Sequence, residues 1–127
     1  MKTITLFSAE AISASASATS AEIHLGAVDY GNNSAFIRPD GFFSLQFTVT
    51  GDGTAKVEYE LSNDRVTWSE PEGAPDIATA LTKTSGPASD GKGIVGFSSE
   101  TSPSMKIKVT ETGGADSITV TAVLAVQ

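Results

Sequence analysis

The sequence contains no cysteine. Disulfide bridges and thiolate metal sites are therefore excluded, and the fold must be held by side-chain packing and backbone hydrogen bonds. The absence of cysteine also slightly favours a reducing compartment, because secreted domains of this size often use disulfides.

Long apolar runs are missing as well. No stretch approaches the roughly 20 apolar residues of a membrane-spanning helix. An apolar run after Lys2 stops at Phe7, and Glu10 follows, whereas a secretory signal needs about 7–15 apolar residues. We therefore expect no export signal and no membrane partner, and a chain that is complete as it stands and made in the cytoplasm.

Positive charge is scarce, with 8 Lys and Arg against 15 Asp and Glu and a formal net charge of −7. Nucleic-acid binding normally needs a basic face, so nucleic acid is excluded as an expected partner. The same balance disfavours anionic membrane surfaces. It is compatible with solubility at high concentration or with a basic partner. The 127 residues suit one domain with a single core.

Residues for catalysis are few. His24 is the only histidine, and it falls in a strand-like segment without a nucleophile motif nearby. Ser62 and Ser85 lack the G-x-S-x-G context of a hydrolase serine. Glu58 and Glu60 share one strand face, as a glycosidase pair would, but a solvated face is the simpler interpretation. We expect no catalytic residues and no enzyme.

Cation and cofactor signals are also weak. Asp40, Asp52 and Asp90 each precede a glycine, which is typical of turns, and they are too far apart in sequence to predict a calcium loop. No glycine-rich phosphate loop opens a helix. We expect neither a metal site nor a cofactor.

Strict alternation of apolar and polar residues is the main positive signal. It covers residues 42–50 and again residues 56–61, where Val57, Tyr59 and Leu61 share one face. Such alternation is typical of half-buried strands. The short Gly-Asp-Gly connection between the two runs favours a β-hairpin. The alternation resumes at Val66 and at Trp68, the only tryptophan, which we expect to anchor the core.

Further short runs complete an all-β pattern of about eight strands with frequent turns and no convincing helix. The remaining runs cover residues 3–7, 22–25, 77–81, 94–97, 103–109 and 118–126. This predicts an antiparallel two-sheet β-sandwich. Jelly-roll and immunoglobulin-like strand orders are both open.

The N-terminal part is divided from the rest by an Ala/Ser tract over residues 9–21. Repeated serine and threonine compete with helix formation, and the tract has no helical apolar stripe. We predict a strand or extended arm over residues 1–21 and the β-sandwich over residues 22–127. The tract is either a surface linker or an arm that reaches a neighbouring subunit.

Residues 62–68, S-N-D-R-V-T-W, form the one suggestive local motif. They partly match the Asp-box of sialidase-type propellers, S-x-D-x-G-x-x-W, but Val66 stands at the glycine position and the motif occurs once. We interpret it as a structural turn, which the Ser and Asp side chains close on their own backbone.

Three stretches carry a family resemblance: G-D-G-T-A-K-V-E-Y-E-L-S-N-D with the following Trp68, D-I-A-T-A-L-T-K-T-S-G-P, and M-K-I-K-V-T-E-T-G-G-A-D-S-I-T-V-T-A. With them the chain resembles a family of small β-sandwich structural proteins of tailed phages and prophages. The resemblance implies a virion protein made in a bacterial host, most simply a capsid decoration or accessory protein. It brings no catalytic residues.

The implied partners are the major capsid protein or another virion protein, and further copies of the chain in a homo-oligomer. Residues 1–21 and the loop over residues 82–93 are the predicted contact segments. The alternative is a carbohydrate-binding or adhesion module of a tail or fibre, for which Tyr30, Phe36 and Phe42 are candidate exposed aromatics. A hydrolase is the third and least favoured hypothesis.

Overall fold

The computed structural model describes residues 2–25 and 42–126. They form strands and no helix, which confirms the predicted all-β class. The nine strands are β1 (Lys2–Ile12), β2 (Ser17–Thr19), β3 (Ile23–His24), β4 (Phe42–Gly51), β5 (Ala55–Ser62), β6 (Ala78–Leu81), β7 (Lys92–Ser98), β8 (Ser104–Glu111) and β9 (Ile118–Val126).

The strands make two antiparallel sheets, as predicted for a sandwich. Sheet I has the order β1-β9-β4-β7. Sheet II has the order β2-β8-β5-β6, and β3 also pairs with β8. The predicted turns and short apolar run over residues 31–41 lie outside the described residues.

The core lies between the inner faces of the two sheets. Each long strand contributes alternate side chains to it, because successive residues of a strand point to opposite faces. In β4 these are Phe43, Leu45, Phe47 and Val49, which are all buried. The other buried apolar side chains of the strands are Phe7, Ile12, Ile23, Ala55, Val57, Tyr59, Met105, Ile107, Val109, Ile118, Val120, Ala122 and Leu124. Alternation alone therefore identified most of the core.

The predicted hairpin between residues 42–50 and 56–61 is wrong. β4 pairs with β7 and β9 in sheet I, whereas β5 pairs with β6 and β8 in sheet II. The connection crosses from one sheet to the other. Gly51 adopts a positive φ of 91°, and the buried Gly53 donates its N–H to the carbonyl of Ser117 at 3.2 Å. These backbone contacts turn the chain into the opposite sheet.

Of the two predictions for residues 1–21, a strand or an extended arm, the strand is the one that the structure has. β1 pairs with β9 along its length, and β2 pairs with β8 in sheet II. Phe7 and Ile12 are buried, and the Ala/Ser tract forms the end of β1, a turn and β2. The segment therefore links the two sheets, and its apolar side chains are used within the sandwich.

Trp68 is not the core anchor that its size suggested. It is only half-buried, and the ammonium of Lys106 lies 4.2 Å from its ring centroid. The alternation does not resume at Val66, which is 81% exposed. The turn between Leu61 and Ser69 directs the side chains of Val66 and Trp68 away from the core. Strand pairing returns after it only as a single bridge between Leu61 and Ser69.

Candidate binding surfaces

The outer face of sheet I carries little charge, although the protein is strongly acidic. Among the described residues, charged side chains in this sheet lie only at its margins, with Lys92 at the start of β7 and Lys2 and Glu10 on the edge strand β1. We call the remaining outward positions the neutral face. It consists of Thr3, Thr5, Ala11, Phe42, Ser44, Gln46, Thr48, Thr50, Ile94, Gly96, Ser98, Thr119, Thr121, Val123 and Ala125.

Two apolar side chains project from the neutral face. Phe42 is 61% exposed and Ile94 is 68% exposed. The rest of the face is threonine, serine, glutamine, Ala11 and Gly96, with half-buried Val123 and Ala125 in β9. Covering a surface of this composition avoids the desolvation of charges, which costs far more than the desolvation of hydroxyl and amide groups. This makes it the best candidate contact surface of the described residues.

The outer face of sheet II is charged, with opposite signs placed across neighbouring strands. Glu58 and Glu60 of β5 lie opposite Lys108 and Lys106 of β8 in the strand register. Lys56 is 3.6 Å from the Glu58 carboxylate. This agrees with the interpretation of the two glutamates as part of a balanced polar face, although both are half-buried instead of fully exposed.

Glu58 also belongs to an acidic cluster with Glu70 and Asp76, whose carboxylate oxygens lie within 4.8 Å of one another. A hydrogen bond with Glu58 and partial burial raise the pKa of Glu70 above its ordinary value. The Lys56 ammonium is 4.0 Å from Asp76 as well as 3.6 Å from Glu58. The Lys56 ammonium therefore already neutralises part of the negative charge of the cluster. The three carboxylates fit a salt-bridged surface better than a metal site.

An open cleft of about 470 Å³ lies where β7 faces β5 and the segment before β6. Tyr59 and Phe97 stack there with ring centroids 5.7 Å apart. The Tyr59 hydroxyl donates to the Glu100 carboxylate at 2.8 Å. Burial and this hydrogen bond raise the pKa of Tyr59 to about 12. The cleft offers the carboxylates of Asp76 and Glu100, but its aromatic rings are engaged with each other.

The turn over residues 62–67 has the predicted closure. Asp64 Oδ1 accepts the N–H groups of Thr67 at 2.8 Å and Val66 at 2.9 Å, and the hydroxyl of Ser62 at 3.0 Å. These hydrogen bonds hold the pKa of Asp64 at about 2. The Ser62 and Asp64 side chains are thus both used in closing the turn, which is a structural role.

The same turn is connected to β3 through Arg65. Its guanidinium donates to both oxygens of Glu22, at 2.7 and 2.8 Å. This bidentate contact lowers the pKa of Glu22 to about 2. A bidentate arginine–carboxylate pair fixes orientation as well as distance, so the turn and the start of β3 are held together at one edge of sheet II.

The structure does not bring the candidate catalytic residues together. His24 lies in β3 with its Nε2 3.7 Å from Glu22. Ser62 accepts the N–H of Arg65 at 2.8 Å in its turn, and Ser85 accepts the N–H of Thr82 at 2.9 Å in the loop before β7. Within the described residues, no hydrogen bond joins His24 to either serine.

Two of the aspartates considered as calcium ligands, Asp52 and Asp90, take part in different contacts. Asp52 pairs with Lys83, and Asp90 accepts the N–H of Lys92 at 3.2 Å. Asp40 lies outside the described residues, as do Tyr30 and Phe36.

Phe42 is the one predicted exposed aromatic that the structure describes, and it is exposed. Residues 82–91 form the expected surface loop before β7.

Glu111 is the main feature that sequence reasoning missed. Its side chain is 1% exposed and accepts four backbone N–H groups, from Thr54, Gly113 and Gly114 at 2.8 Å and from Ser15 at 3.1 Å. The donors belong to three different connections between strands. A glutamate directly before Thr-Gly-Gly was the available signal, because glycines free backbone N–H groups for a local acceptor.

No protein-family model matches the chain, and no curated protein matches it in sequence. The described residues also include no helix that is long and apolar enough to cross a membrane.

Solved structures of similar fold do exist. The periplasmic lysozyme inhibitor PliG of Aeromonas hydrophila, which inhibits g-type lysozyme, matches 99% of this chain and 85% of its own chain with a TM-score of 0.50 and 10% identity. VP2 of the infectious bursal disease virus subviral particle matches with a TM-score of 0.53 and 14% identity. The match covers 98% of this chain but only 31% of the VP2 chain.

The CBM22-1 xylan-binding domain of Paenibacillus barcinonensis Xyn10C covers 97% of this chain and 92% of its own, at a TM-score of 0.47 and 7% identity. That similarity is too low to carry an argument. At these identities, PliG and VP2 show a shared fold and nothing about activity or partners.

Proposed function

We propose that this protein is a structural component of a phage virion, which binds the outer surface of the capsid as a decoration or accessory protein. It acts by covering and bridging capsid subunits, without catalysis. The neutral face is the surface that makes the contact, and the charged face of sheet II stays in solvent.

The observation that carries the proposal is the uneven distribution of charge. A chain with a net charge of −7 has one broad sheet face on which charges lie only at the margins, and Phe42 and Ile94 project from it. Charged groups are depleted in the centres of protein interfaces, because each would have to be desolvated or paired. The opposite face of the same sandwich carries alternating lysines and glutamates, as expected of a surface that remains hydrated.

The fold and the sequence resemblance support a structural role in a viral particle, without specifying the position in it. The three stretches quoted above resemble phage structural proteins, and the sandwich shares its fold with a protein of a viral particle. The predicted exchange of an N-terminal arm is not part of the mechanism, because residues 2–12 and 17–19 are paired within the sandwich.

The test is co-sedimentation of the purified protein with capsids that lack accessory proteins. The informative variant is Gln46→Glu, which adds one charge at an exposed position in the middle of the neutral face with almost no change of shape. Asn63→Asp makes the same amide-to-carboxylate change at an exposed position in the turn after β5 and is the matched control.

We expect wild type and Asn63→Asp to bind alike, and Gln46→Glu to bind about tenfold more weakly or worse, since a buried unpaired charge is costly. If wild type fails to co-sediment at every salt concentration, the capsid proposal is wrong. If both variants bind like wild type, the neutral face is not the contact surface.

A carbohydrate-binding module is the second candidate, and the cleft between β7 and β5 is the observation in its favour. Asp76 and Glu100 line it, and carboxylates can accept hydrogen bonds from sugar hydroxyls. Against it, Tyr59 and Phe97 stack on each other instead of presenting a free ring face. Binding on a glycan array that is lost in Asp76→Asn would favour this candidate over the capsid role.

A further inference from the structure

In the part of the chain that the structure describes, strand β7 is a sheet edge whose only protection against pairing is Lys92 at its start. The other edges are blunted: β1 has two register shifts and a positive φ of 49° at Ala9, while β2, β3 and β6 have only 3, 2 and 4 residues. β7 has seven residues, no proline, and an exposed isoleucine at position 94. A long edge strand without proline or a register shift can act as a template for a further strand.

The register shows which backbone groups of β7 face outward from the sheet. Val49 donates its N–H to the carbonyl of Gly91 at 2.9 Å, so the directly opposed residues 49 and 91 form a hydrogen-bonded pair. Such pairs alternate with non-hydrogen-bonded pairs along an antiparallel ladder. The pairs Gln46–Ile94 and Ser44–Gly96 are therefore non-hydrogen-bonded pairs. The backbone N–H and C=O groups of Ile94 and Gly96 point away from β4, to the open edge.

The open stretch begins after Lys92. The Lys92 N–H donates to Asp90, and Gly86 packs so closely against the Lys92 carbonyl that a Cβ at Gly86 would lie 1.9 Å from it. The loop before β7 thus covers the first residue of the edge. Among the described residues, no hydrogen bond outside the sheet ladders engages the backbone of Ile94 or Gly96.

The sequence of β7, K-G-I-V-G-F-S, is self-complementary in an antiparallel pair centred on Val95. Ile94 of one copy then lies opposite Gly96 of the other, so the isoleucine side chain covers a position without a side chain. Lys92 lies opposite Ser98, so no like charges are opposed. The backbone N–H and C=O groups of Ile94 in one copy form two hydrogen bonds with those of Gly96 in the other copy. The symmetry-related pair forms two more, which gives four backbone hydrogen bonds in all.

We infer that two copies of this chain associate through β7, edge to edge and antiparallel, so that their four-stranded sheets join into one continuous sheet. The partner is thus a second copy of the chain. The neutral faces of the two copies become one extended surface, with twice the area available to a further partner. This inference does not depend on the proposed capsid role, because it concerns the purified protein alone.

Two variants test the contact at each of its two central residues. Ile94→Pro removes one N–H at the open edge, a group that pairing with β4 does not use, and edge strands tolerate proline there. Gly96→Lys places a charged side chain opposite Ile94; a Cβ at Gly96 has no heavy atom nearer than 3.8 Å, so the protomer accepts it. Gln46→Lys adds the same charge to the neutral face one strand inward, at the residue opposite Ile94, and is the matched control.

Sedimentation equilibrium over a wide protein concentration range measures the association, with circular dichroism as the check on folding. Amide hydrogen exchange at Ile94 and Gly96 reports whether the edge is covered. We expect a weak wild-type dimer with protected Ile94 and Gly96 amides, and dissociation constants raised about tenfold or more in Ile94→Pro and Gly96→Lys but not in Gln46→Lys.

Several results would overturn the inference. A monomer with fast-exchanging amides at the highest concentration means that the edge is unused. A monomer with protected amides means that another part of the same chain covers β7. A dimer that Gln46→Lys weakens as much as Gly96→Lys is joined through the neutral face, and a dimer insensitive to all three variants lies elsewhere. A dimer joined through the neutral face would also compete with the proposed capsid contact, whereas the other results leave capsid binding to its own test.

Discussion

Replacing Glu111 by glutamine tests the contact that holds the connections between strands together. Each carboxylate oxygen accepts two backbone N–H groups, Oε1 from Ser15 and Gly114, and Oε2 from Thr54 and Gly113. Glutamine keeps one acceptor oxygen and puts an NH₂ donor in place of the other. Two partly buried N–H groups then lose their acceptor and face another donor, which is worse than a simple loss of hydrogen bonds.

The size of the effect follows from these two charge-assisted hydrogen bonds. Bonds of this type are among the stronger ones in proteins, and a partly buried donor that is left facing another donor adds a further penalty. For a domain of 127 residues, we expect Glu111→Gln to lower the melting temperature by about 10 °C or more. Glu72→Gln makes the same change at an exposed loop position and serves as the control in thermal melts followed by circular dichroism.

The pH dependence gives an independent readout. The N–H group of Thr54 and the three others hold the pKa of Glu111 at about 2, against an ordinary value of 4.5. Because the folded state binds the proton more weakly, the stability from Glu111 is fully present above pH 4.5 and is lost as the pH falls to about 2. The difference in melting temperature between wild type and Glu111→Gln should shrink over this range. A variant that melts like wild type at neutral pH would refute the reasoning.

Three further perturbations test the core, the cleft and the turn. Leu124→Ala, at a position with 0% exposure, should lower the free energy of unfolding by about 2–5 kcal/mol in urea denaturation, whereas Thr119→Ala on the outward side of the same strand should change it by less than about 1 kcal/mol. Ultraviolet titration should show a tyrosine with a pKa of about 12 that is absent in Tyr59→Phe; a single transition near 10 would contradict the burial of this hydroxyl. Acrylamide should quench the native fluorescence of Trp68 readily, because this half-buried side chain lies outside the core, and strong protection would restore it as the core anchor.

The strands with strict alternation could be predicted from the sequence, because a half-buried strand has the same local pattern wherever it pairs. β4, β5, β8 and β9 were found in this way. Pairing is a long-range property, and it was not accessible in the same way. A Gly-Asp-Gly connection fits both a hairpin and a crossing between sheets, and the choice here depends on Gly53 meeting Ser117, which is distant in sequence.

The same limit explains the N-terminus and the binding surfaces. The Ala/Ser tract has little pattern of its own, and β1 is fixed by its ladder with β9 at the other end of the chain. Alternation showed that the outward residues of β4 and β9 are uncharged. That these strands are neighbours, and that β7 is an open edge, required the topology. Trp68 was misjudged because a large side chain at a strand-like position need not be inside when the preceding turn leaves the sheet.

Salt dependence separates the proposed contact from the simplest alternative, which is attraction between the acidic protein and a basic partner. Copies with a net charge of −7 repel one another at long range, and salt screens this repulsion over a distance of about 10 Å at 0.1 M. Contacts through the neutral face and the β7 edge bring few charges together, so added salt should leave them intact or strengthen them. Binding through the charged face of sheet II would instead weaken with salt. Capsid binding that rises or stays level between low and high salt, in wild type and in Asn63→Asp alike, is therefore the result expected of a contact through the neutral face.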